Sequence, residues 1–596
     1  MNNESLLNYL KNLFFHVEKK RKIQFIFLLL LTLFTGLAEI LSLSAVVPFV
    51  QSLTNENFLN EKVYIFNLIT IKNKEHVIII LGLIFSCLYF INCILRIFLT
   101  FFISKLSNIT SSEISIKIYK SKLYDSYSNH LITNSKFLIS LISQKIYEIA
   151  FSINAIINII SGIFIFICIV SVLLWINPII MLVSLSFFAI FYFILIALGK
   201  KTIKKNSIII NEEETNIIGN LQNGLGGIRD ILLDNTQDFY LSDFKKRHFT
   251  LSRKKSVNDF IQNSPRYILE ALGIILFVCL LIYWSKHEAD QNQILTIFPT
   301  LAALAIATQR ILPLANMIYT NFVMVKSRVS QIKEVVDALS RNLILSKKDL
   351  VVKQSINFEN SIIFNNVFFS YDKNKECILE NINIEIKKNS KVGIIGKTGS
   401  GKSTFLDLLM GLLEPDKGSI QIDGLKLSLE TYNSWQSKIS HVPQKIFLSD
   451  ASFAENIAFG KPLDKIDLNR VKQASIKSQI HEFILKSKKG YDEKVGERGI
   501  RLSGGQIQRL GLARALYKNT TEVIIFDEAT NSLDIETEKT IMKELYSLDP
   551  NLTIIIVAHR LNILNDCDVI FEVKNKKVNV IKKKISFNAS KNTDKF

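Results

Sequence analysis

The sequence predicts two domains of different class, an α-helical membrane domain followed by an α/β domain. The chain has 596 residues, more than one hydrophobic core usually organises. Hydrophobic residues make up 48% and charged residues only 21%, which excludes a disordered or fibrous protein. After about residue 326 the charge rises, and short β-type runs alternate with helical stretches, a pattern that favours an α/β domain.

Six apolar runs are long enough to cross a bilayer, which takes roughly 20 residues of helix. They cover residues 23–50, 77–104, 149–175, 178–199, 267–284 and 294–325. We therefore predict a transmembrane domain with six spans over 1–325, a linker over 326–355 and a soluble domain over 356–596. The segments between spans two and three and between spans four and five keep helical patterning, so we expect the membrane helices to continue into the cytoplasm.

The charge distribution favours a membrane surface over nucleic acid as the partner. The net charge is +19, from 72 Lys and Arg against 53 Asp and Glu. The basic residues concentrate in the leader and in the segments after the second and fourth spans. The positive-inside rule then places both termini and the soluble domain in the cytoplasm, next to anionic lipid. The heavy use of Lys, Asn and Ile suits a bacterial inner membrane, and we expect no nucleic-acid partner.

Ionisable residues inside or at the edge of the predicted spans are candidates for function, because a charge in lipid costs at least a few kcal/mol. These residues are Glu39, Arg96, Arg266, Glu270 and Arg310. One interpretation is structural, an ion pair such as that of Arg96 with Glu39. The other assigns Arg266 and Arg310 to a substrate cavity, where a guanidinium group would suit an anionic headgroup.

The first functional motif in the predicted soluble domain is that of a phosphate-binding loop. The pattern G-x-x-x-x-G-K-[ST] is matched by Gly396, Lys397, Thr398, Gly399, Ser400, Gly401, Lys402 and Ser403, with Thr404 next. It lies between an apolar run at 392–395 and a helical pattern at 404–413, the strand–loop–helix context that this motif requires. We expect Lys402 to bind the β- and γ-phosphates and Ser403 to hold Mg²⁺, at a helix N-terminus that favours anions.

A second motif supplies two carboxylates. The apolar run 523–526 predicts a buried strand, and it ends in Asp527 and Glu528. Downstream of a phosphate-binding loop, Asp527 suits the Mg²⁺ shell and Glu528 suits a general base that polarises the attacking water.

The sequence Leu502-Ser503-Gly504-Gly505-Gln506 resembles the signature of ATP-binding-cassette (ABC) proteins, and further motifs of that family occur in order over residues 371–560. The resemblance implies ATP and Mg²⁺ as cofactors and the exporter layout for the six spans. It also implies roles for single residues. Tyr371 would stack on adenine, Gln444 would take part in catalysis and metal binding, and His559 would take part in catalysis. The residues implied in ATP binding are Ser503, Gly504, Gly505, Gln506 and Asp534.

The resemblance further implies a half-transporter that couples ATP hydrolysis to transport as a dimer, here a homodimer. Residues 224–236 are then the candidate coupling turn that enters the partner's cassette. The stretches LGGIRDILL (225–233) and SPRYILEALG (264–273) resemble exporters that flip lipid-linked oligosaccharides, so the expected substrate is amphipathic or lipid-linked. A lipid or multidrug exporter is an alternative, and a nucleotide-gated channel or sensor is an alternative of another class.

Overall fold

The structure, a computed structural model, describes residues 6–54, 74–176, 178–287, 309, 311–346, 354–372, 376–528, 551–558 and 561–581. It divides into two compact units. The helical unit lies within 1–125 and 133–345, and the sheet unit lies within 126–132 and 346–596. The division at 345/346 falls inside the predicted linker.

Long α-helices make up the helical unit. The helices up to the division are α1 (Leu6–Phe15), α2 (Lys19–Ser44), α3 (Val46–Thr54), α4 (Lys74–Leu123), α5 (Tyr127–Ile132), α6 (Ser135–Ser140), α7 (Ile146–Ile176), α8 (Pro178–Gly226), α9 (Ile228–Leu233), α10 (Gln237–His287), α11 (311–327) and α12 (Val329–Ser346). The short α5 is the exception, because its contacts assign it to the sheet unit. A π-helical turn at Leu141–Lys145 joins α6 to α7.

Three helices are longer than a membrane crossing needs. Helices α4, α8 and α10 contain 50, 49 and 51 residues. At 1.5 Å per residue each is about 75 Å long, more than twice the roughly 30 Å of a bilayer's hydrocarbon core. The helices of the predicted spans therefore continue well beyond the length that a bilayer covers.

Four helical segments of the described chain are long and apolar enough to cross a membrane. They are Lys19–Leu53, Glu75–Leu123, Ser135–Trp175 and Ser186–Gly226. The predicted span 267–284 lies in α10, and half of the predicted span 294–325 lies outside the described residues. Many large apolar side chains of these helices are exposed on the outside of the unit, for example Phe90, Phe193 and Trp175. Such surfaces suit contact with lipid.

The sheet unit contains two sheets. The strands are β1 (Ser361–Phe369), β2 (Leu379–Lys387), β3 (Lys391–Ile395), β4 (Lys417–Ile422), β5 (Leu425–Lys426), β6 (Ile439–Val442), β7 (Val523–Asp527), β8 (Thr553–Val557), β9 (Val569–Lys574) and β10 (Lys577–Ile581). An antiparallel sheet has the order β2-β1-β4-β5, and a six-stranded sheet has the order β10-β9-β3-β8-β7-β6. In the second sheet β9, β3, β8, β7 and β6 are parallel, so their carboxyl ends meet at one edge.

Helices pack against these sheets and position the site. They are α13 (Lys402–Leu409), α14 (Tyr432–Ser437), α15 (Phe453–Ile457), α16 (Leu468–Lys477), α17 (His481–Leu485) and α18 (Gly504–Tyr517). Helix α13 lies in the main core, where the rings of Phe364 and Phe405 are 5.0 Å apart. The buried Trp435 indole donates a hydrogen bond of 2.8 Å to the carbonyl of Leu409 and so holds the end of α13. Strand β3 and helix α13 are thus fixed on both sides of the loop between them.

Candidate nucleotide-binding site

The loop 396–401 joins β3 to α13 and is shaped by its glycines. Gly401 precedes α13 with φ of 103°, in the left-handed region that other residues rarely adopt. A Cβ atom on Gly396 would lie 2.5 Å from the carbonyl oxygen of Val573, a contact too short to exist. The sequence needs glycine at these two positions so that the backbone can turn tightly into the helix.

Lys402 is held inside this loop. Its side chain is buried, and Nζ donates to the carbonyl oxygens of Gly396 at 2.7 Å and Lys397 at 3.3 Å. The hydroxyl of Ser400 is buried nearby in the loop and makes no hydrogen bond within the part of the chain that the structure describes. The ammonium group, this hydroxyl and the N-terminus of α13 together suit a phosphate ligand.

The two predicted carboxylates lie at the carboxyl end of β7. Asp527 is paired with Val557 of β8, and the N–H of Glu528 donates to the carbonyl of Val557 at 3.1 Å. Burial, together with the charge of Glu528, raises the pKa of Asp527, and the ammonium group of Lys402 opposes that rise. The acidic pair and the lysine therefore act on one another, as the sequence motifs predict for a shared site.

Gln444 completes this arrangement from the segment that follows β6, the strand beside β7. Its Nε2 donates a hydrogen bond of 2.7 Å to Oε2 of Glu528. Glu528 itself has φ of 51°, a left-handed conformation that is uncommon for a side chain of this size. Such backbone strain clusters at functional sites.

Mg²⁺ fits the residues predicted to hold it. Ser403, Gln444 and Asp527 offer a hydroxyl, an amide carbonyl and a carboxylate oxygen, the hard oxygen ligands that Mg²⁺ prefers. The described residues contain no group of three or more His, Cys, Asp and Glu that could cage a metal ion. A site with few protein ligands is usual for Mg²⁺, which commonly keeps water and binds substrate phosphate.

Tyr371, the predicted adenine contact, is half-exposed. Its hydroxyl is 3.1 Å from Oγ1 of Thr404 in α13, and its ring meets Phe369 edge to face at 5.1 Å. These contacts fix the ring beside the first turn of α13, and the exposed part of the ring can stack on a base.

The signature residues begin α18. Ser503 and Gln506 form a capping box, in which Ser503 Oγ accepts from the N–H of Gln506 and Gln506 Oε1 accepts from the N–H of Ser503. Ser503 and Gly504 are exposed, so the helix N-terminus is open to a ligand.

Two partly buried charged residues of this unit were not predicted. Asp407 in α13 has a pKa raised to about 6, by burial and by the charge of Asp527. Arg514 in α18 donates to the carbonyls of Asn456 at 2.8 Å and Phe447 at 2.9 Å, and burial lowers its pKa to about 10. Arg514 thus ties the signature helix to the chain that follows Gln444. A charged residue inside an apolar helical pattern is the signal that could have identified both.

Three predicted site residues, Asp534, His559 and Arg310, lie outside the described residues. Arg266 is exposed, and its Nε lies 2.9 Å from Oε1 of Glu270 one turn along α10. The predicted ion pair of Arg96 and Glu39 is present, with Nη2 and Oε2 2.8 Å apart. Glu39 is fully buried, so that pair supports the structural interpretation of these two residues.

The fold and the site define a P-loop nucleotide-binding domain that follows a unit of long apolar helices. Residues 379–531 match the ABC transporter family. This segment includes the phosphate-binding loop, Gln444, the signature residues and both carboxylates. The chain therefore carries an ABC transporter domain, as the signature sequence predicted.

Curated relatives match this chain over the same region. It is 40% identical over 210 residues to the leukotoxin translocation ATP-binding protein LktB of Mannheimia glucosida, an alignment covering 35% of this chain and 29% of the relative. It is 40% identical over 217 residues to the alpha-hemolysin translocation ATP-binding protein HlyB of Escherichia coli O157:H7, covering 36% and 30%. It is 35% identical over 229 residues to an ATP-dependent lipid A-core flippase of Pasteurella multocida (strain Pm70), covering 38% and 39%. These alignments span less than two fifths of each relative's length.

A solved structure matches nearly the whole chain. The structure of a bacterial Atm1-family ABC exporter with ATP bound aligns with a TM-score of 0.74 over 94% of both chains, at 20% identity. The chain has the fold of an ABC exporter. The predicted fold class, a helical membrane domain of exporter type followed by an α/β P-loop cassette, is confirmed.

Proposed function

We propose that this chain is one half of an ABC exporter that uses ATP hydrolysis to export or flip a lipid-linked oligosaccharide or a related amphipathic substrate. The proposal of ATPase activity rests on the hydrogen bond that Gln444 donates to Glu528 at the end of β7. This contact supports Glu528 as the candidate base, because a hydrogen bond from the amide of Gln444 holds its carboxylate. The apolar helices of the same chain carry the inference of transport.

The residues of the sheet unit account for hydrolysis. Lys402 and the N-terminus of α13 bind the β- and γ-phosphates, and Ser403, Gln444 and Asp527 hold Mg²⁺, which neutralises charge on the phosphates when it is bound. Glu528, oriented by Gln444, accepts the proton of the attacking water. His559 is assigned to the γ-phosphate by its motif alone.

The active assembly is proposed to be a homodimer. The open N-terminus of α18 suits the phosphates of a nucleotide bound to a second copy. Helix α9 lies in the candidate coupling turn 224–236 and exposes apolar side chains at Ile228, Leu232 and Leu233. An apolar, exposed turn of this kind supports docking into the partner's cassette. The heavy use of Lys, Asn and Ile supports a bacterial inner membrane, and the charge distribution supports both termini and the cassette in the cytoplasm.

The substrate assignment depends on the stretches at 225–233 and 264–273 and on Arg266 and Arg310, whose guanidinium groups suit a diphosphate. The flippase among the relatives acts, by its name, on lipid A-core, and a lipid substrate of that kind supports an amphipathic substrate here. Other relatives are named for toxin translocation, so a polypeptide is a second candidate substrate. Lipid or multidrug export and a nucleotide-gated channel or sensor are the remaining alternatives.

ATP turnover in lipid discs tests this proposal. We would compare the wild type with Glu528→Gln, with and without a polyprenyl-diphosphate oligosaccharide. The proposal predicts turnover that depends on Glu528 and that the added lipid stimulates. Turnover that Glu528→Gln leaves intact would overturn the ATPase assignment. Glu528-dependent turnover that the lipid does not change would overturn the substrate assignment only.

A further inference from the structure

A cavity lies between helices of the helical unit, with Ile217 and Leu251 as its apolar lining residues. Its volume is about 290 Å³, close to the lower end of the roughly 300–1,000 Å³ of small-molecule sites. Its walls come from α7 with the preceding π-helical turn, from α8 and from α10. The polar lining residues are Ser143, Gln144, Tyr147, Glu148, Glu214, His248 and Lys255. A cavity of this size accommodates a small ligand or the end group of a larger one.

Side chains outside the cavity hold its carboxylates in place. Glu214 accepts a hydrogen bond of 3.1 Å from Nε2 of Gln331, a buried residue of α12. Glu148 accepts a hydrogen bond from Nε of Arg328, and that guanidinium group packs 5.7 Å from the ring of Phe151. Because neighbouring side chains hold these carboxylates in one orientation, the carboxylates are preorganised to accept hydrogen bonds from a ligand.

The carboxylates of the cavity are paired with cations, and His248, whose ring lies 5.6 Å from that of Phe244, also lines it. Lys255 Nζ lies 2.9 Å from Oε1 of Glu214, and Arg328 neutralises Glu148. A phosphate ligand would be repelled by the two carboxylates. A ligand ammonium group would have to compete with Lys255 and Arg328, which already pair with those carboxylates. The lining therefore favours a neutral polar ligand.

The hydrogen-bonding character of the lining indicates hydroxyl groups. Carboxylates only accept, the ammonium group of Lys255 only donates, and Ser143, Gln144 and Tyr147 do both. A ligand hydroxyl both donates and accepts, so a polyhydroxylated ligand can satisfy all three kinds of partner. Tyr147 is 60% exposed, and only its edge-to-face contact with Phe151, at 5.0 Å, is seen among the ring contacts of the described residues. Its ring thus offers an apolar platform for the C–H face of a sugar.

We infer that this cavity is a binding site for the sugar end group of the transported lipid. The inference rests on the proposed function and names the part of the substrate that these residues hold. All lining residues belong to segments that loop charge places in the cytoplasm, on the side where a lipid-linked sugar would be taken up before flipping. The diphosphate is left to other residues, because the carboxylates of the cavity would repel it.

The test is a binding measurement on the full-length protein in lipid discs. The two probes are a radiolabelled polyprenyl diphosphate that carries an oligosaccharide and the same lipid without sugar. The variants are Tyr147→Ala and Gln144→Ala, both at exposed side chains. The matched control is Tyr119→Ala, an exposed tyrosine of α4 outside the cavity. Elution volume and circular dichroism check that each variant is folded.

We expect the wild type and Tyr119→Ala to bind the glycosylated lipid more tightly than the sugar-free lipid. Loss of the aromatic contact in Tyr147→Ala should weaken binding of the glycosylated lipid about tenfold and leave that of the sugar-free lipid unchanged. Gln144→Ala should show the same selective loss at smaller size, because it removes one hydrogen-bonding side chain.

The other outcomes contradict the inference in distinguishable ways. If Tyr147→Ala and Gln144→Ala keep the full preference for the glycosylated lipid, the sugar is bound elsewhere and the proposed function stands. If the wild type binds the two lipids equally, no sugar site exists, again without loss of the flippase assignment. If the wild type binds neither lipid, the proposed substrate class fails together with the inference. Tyr147-dependent binding of a toxin-derived peptide in that case would assign the cavity to a polypeptide.

Discussion

The sheet unit and the helical unit hold their buried lysines in different ways. In the sheet unit, Lys402 donates to backbone carbonyls five and six residues earlier in the chain. In the helical unit, Lys145 is 1% exposed and pairs with the carboxylate of Glu334, which is 189 residues away. One lysine is positioned by a short loop and the other by the packing of distant helices.

The pair in the helical unit belongs to a larger polar network. The second oxygen of Glu334 accepts a hydrogen bond of 2.7 Å from Asn211 of α8. Lys145 itself ends the π-helical turn before α7, and Glu334 lies in α12. The network therefore cross-links three helices. Removal of this network should lower the stability of the protein, whereas removal of the Lys402 or Glu528 side chain should impair ATP binding or hydrolysis.

The largest effect is expected at Glu528. Glu528→Gln removes the candidate base and should lower ATP turnover by a factor of about 10² to 10⁴, with ATP binding retained. Glu522→Gln is the matched control, because Glu522 lies just before β7 and pairs with Lys438. Turnover is measured by phosphate release. More than about a tenth of wild-type turnover in Glu528→Gln would rule out Glu528 as the base.

Lys402→Ala tests the phosphate-binding loop. Removal of a buried ammonium group beside the phosphates should weaken binding of labelled ATP at least ~tenfold, since charge-assisted hydrogen bonds are among the strongest. Lys472→Ala, at an exposed lysine of α16, should bind ATP as the wild type does. Undiminished binding by Lys402→Ala in equilibrium dialysis would contradict the assigned role.

In the helical unit, Lys145→Met should lower the thermal unfolding midpoint. It leaves Glu334 without its cation, at a cost of about 1–3 kcal/mol for a partly exposed carboxylate. The double variant with Glu334→Met should recover part of that loss. Lys576→Met breaks an exposed pair with Glu380 and should have almost no effect. Equal midpoints for Lys145→Met and Lys576→Met would show that the buried pair does not hold the helices together.

The smallest effect concerns pH and Asp407. Its pKa is raised from 3.8 to about 6, so the folded protein holds the proton more tightly than the unfolded chain. That contribution to stability is complete below pH 3.8 and is lost as the pH rises through about 6. Asp407→Asn should therefore raise the unfolding midpoint at pH 7.5, and the difference should shrink as the pH falls toward 5. The exposed Asp464→Asn should show no such trend, and a pH-independent difference for Asp407→Asn would refute the explanation.

How well each of these features could be predicted depends on how far apart its residues lie in the sequence. Loop 396–403 could be predicted in detail because its geometry depends on glycines and on a helix that follows at once. The pairing of Gln444 with Glu528 required the strand order, which places β6 beside β7 although the two residues are 84 positions apart. The resemblance to ABC proteins implied a catalytic role for Gln444 but not this pairing.

The helical unit could be predicted only in part. The Arg96–Glu39 pair was anticipated because two charges in apolar runs must find a partner or a cavity. The pairing of Lys145 with Glu334 was not, because both residues lie in charged segments where a solvated lysine is the ordinary expectation. The cavity around Tyr147 arises from three helices that meet only in the folded chain, and no local pattern in the sequence marks it.

The most direct test of the central claim is transport itself. We would reconstitute the wild type and Glu528→Gln in liposomes and measure ATP-driven transfer of a fluorescent polyprenyl-diphosphate oligosaccharide between the leaflets. The account predicts transfer that requires ATP and is lost in Glu528→Gln. Transfer that proceeds at the same rate without ATP, or no transfer by a wild type that hydrolyses ATP, would contradict a pump for this class of lipid.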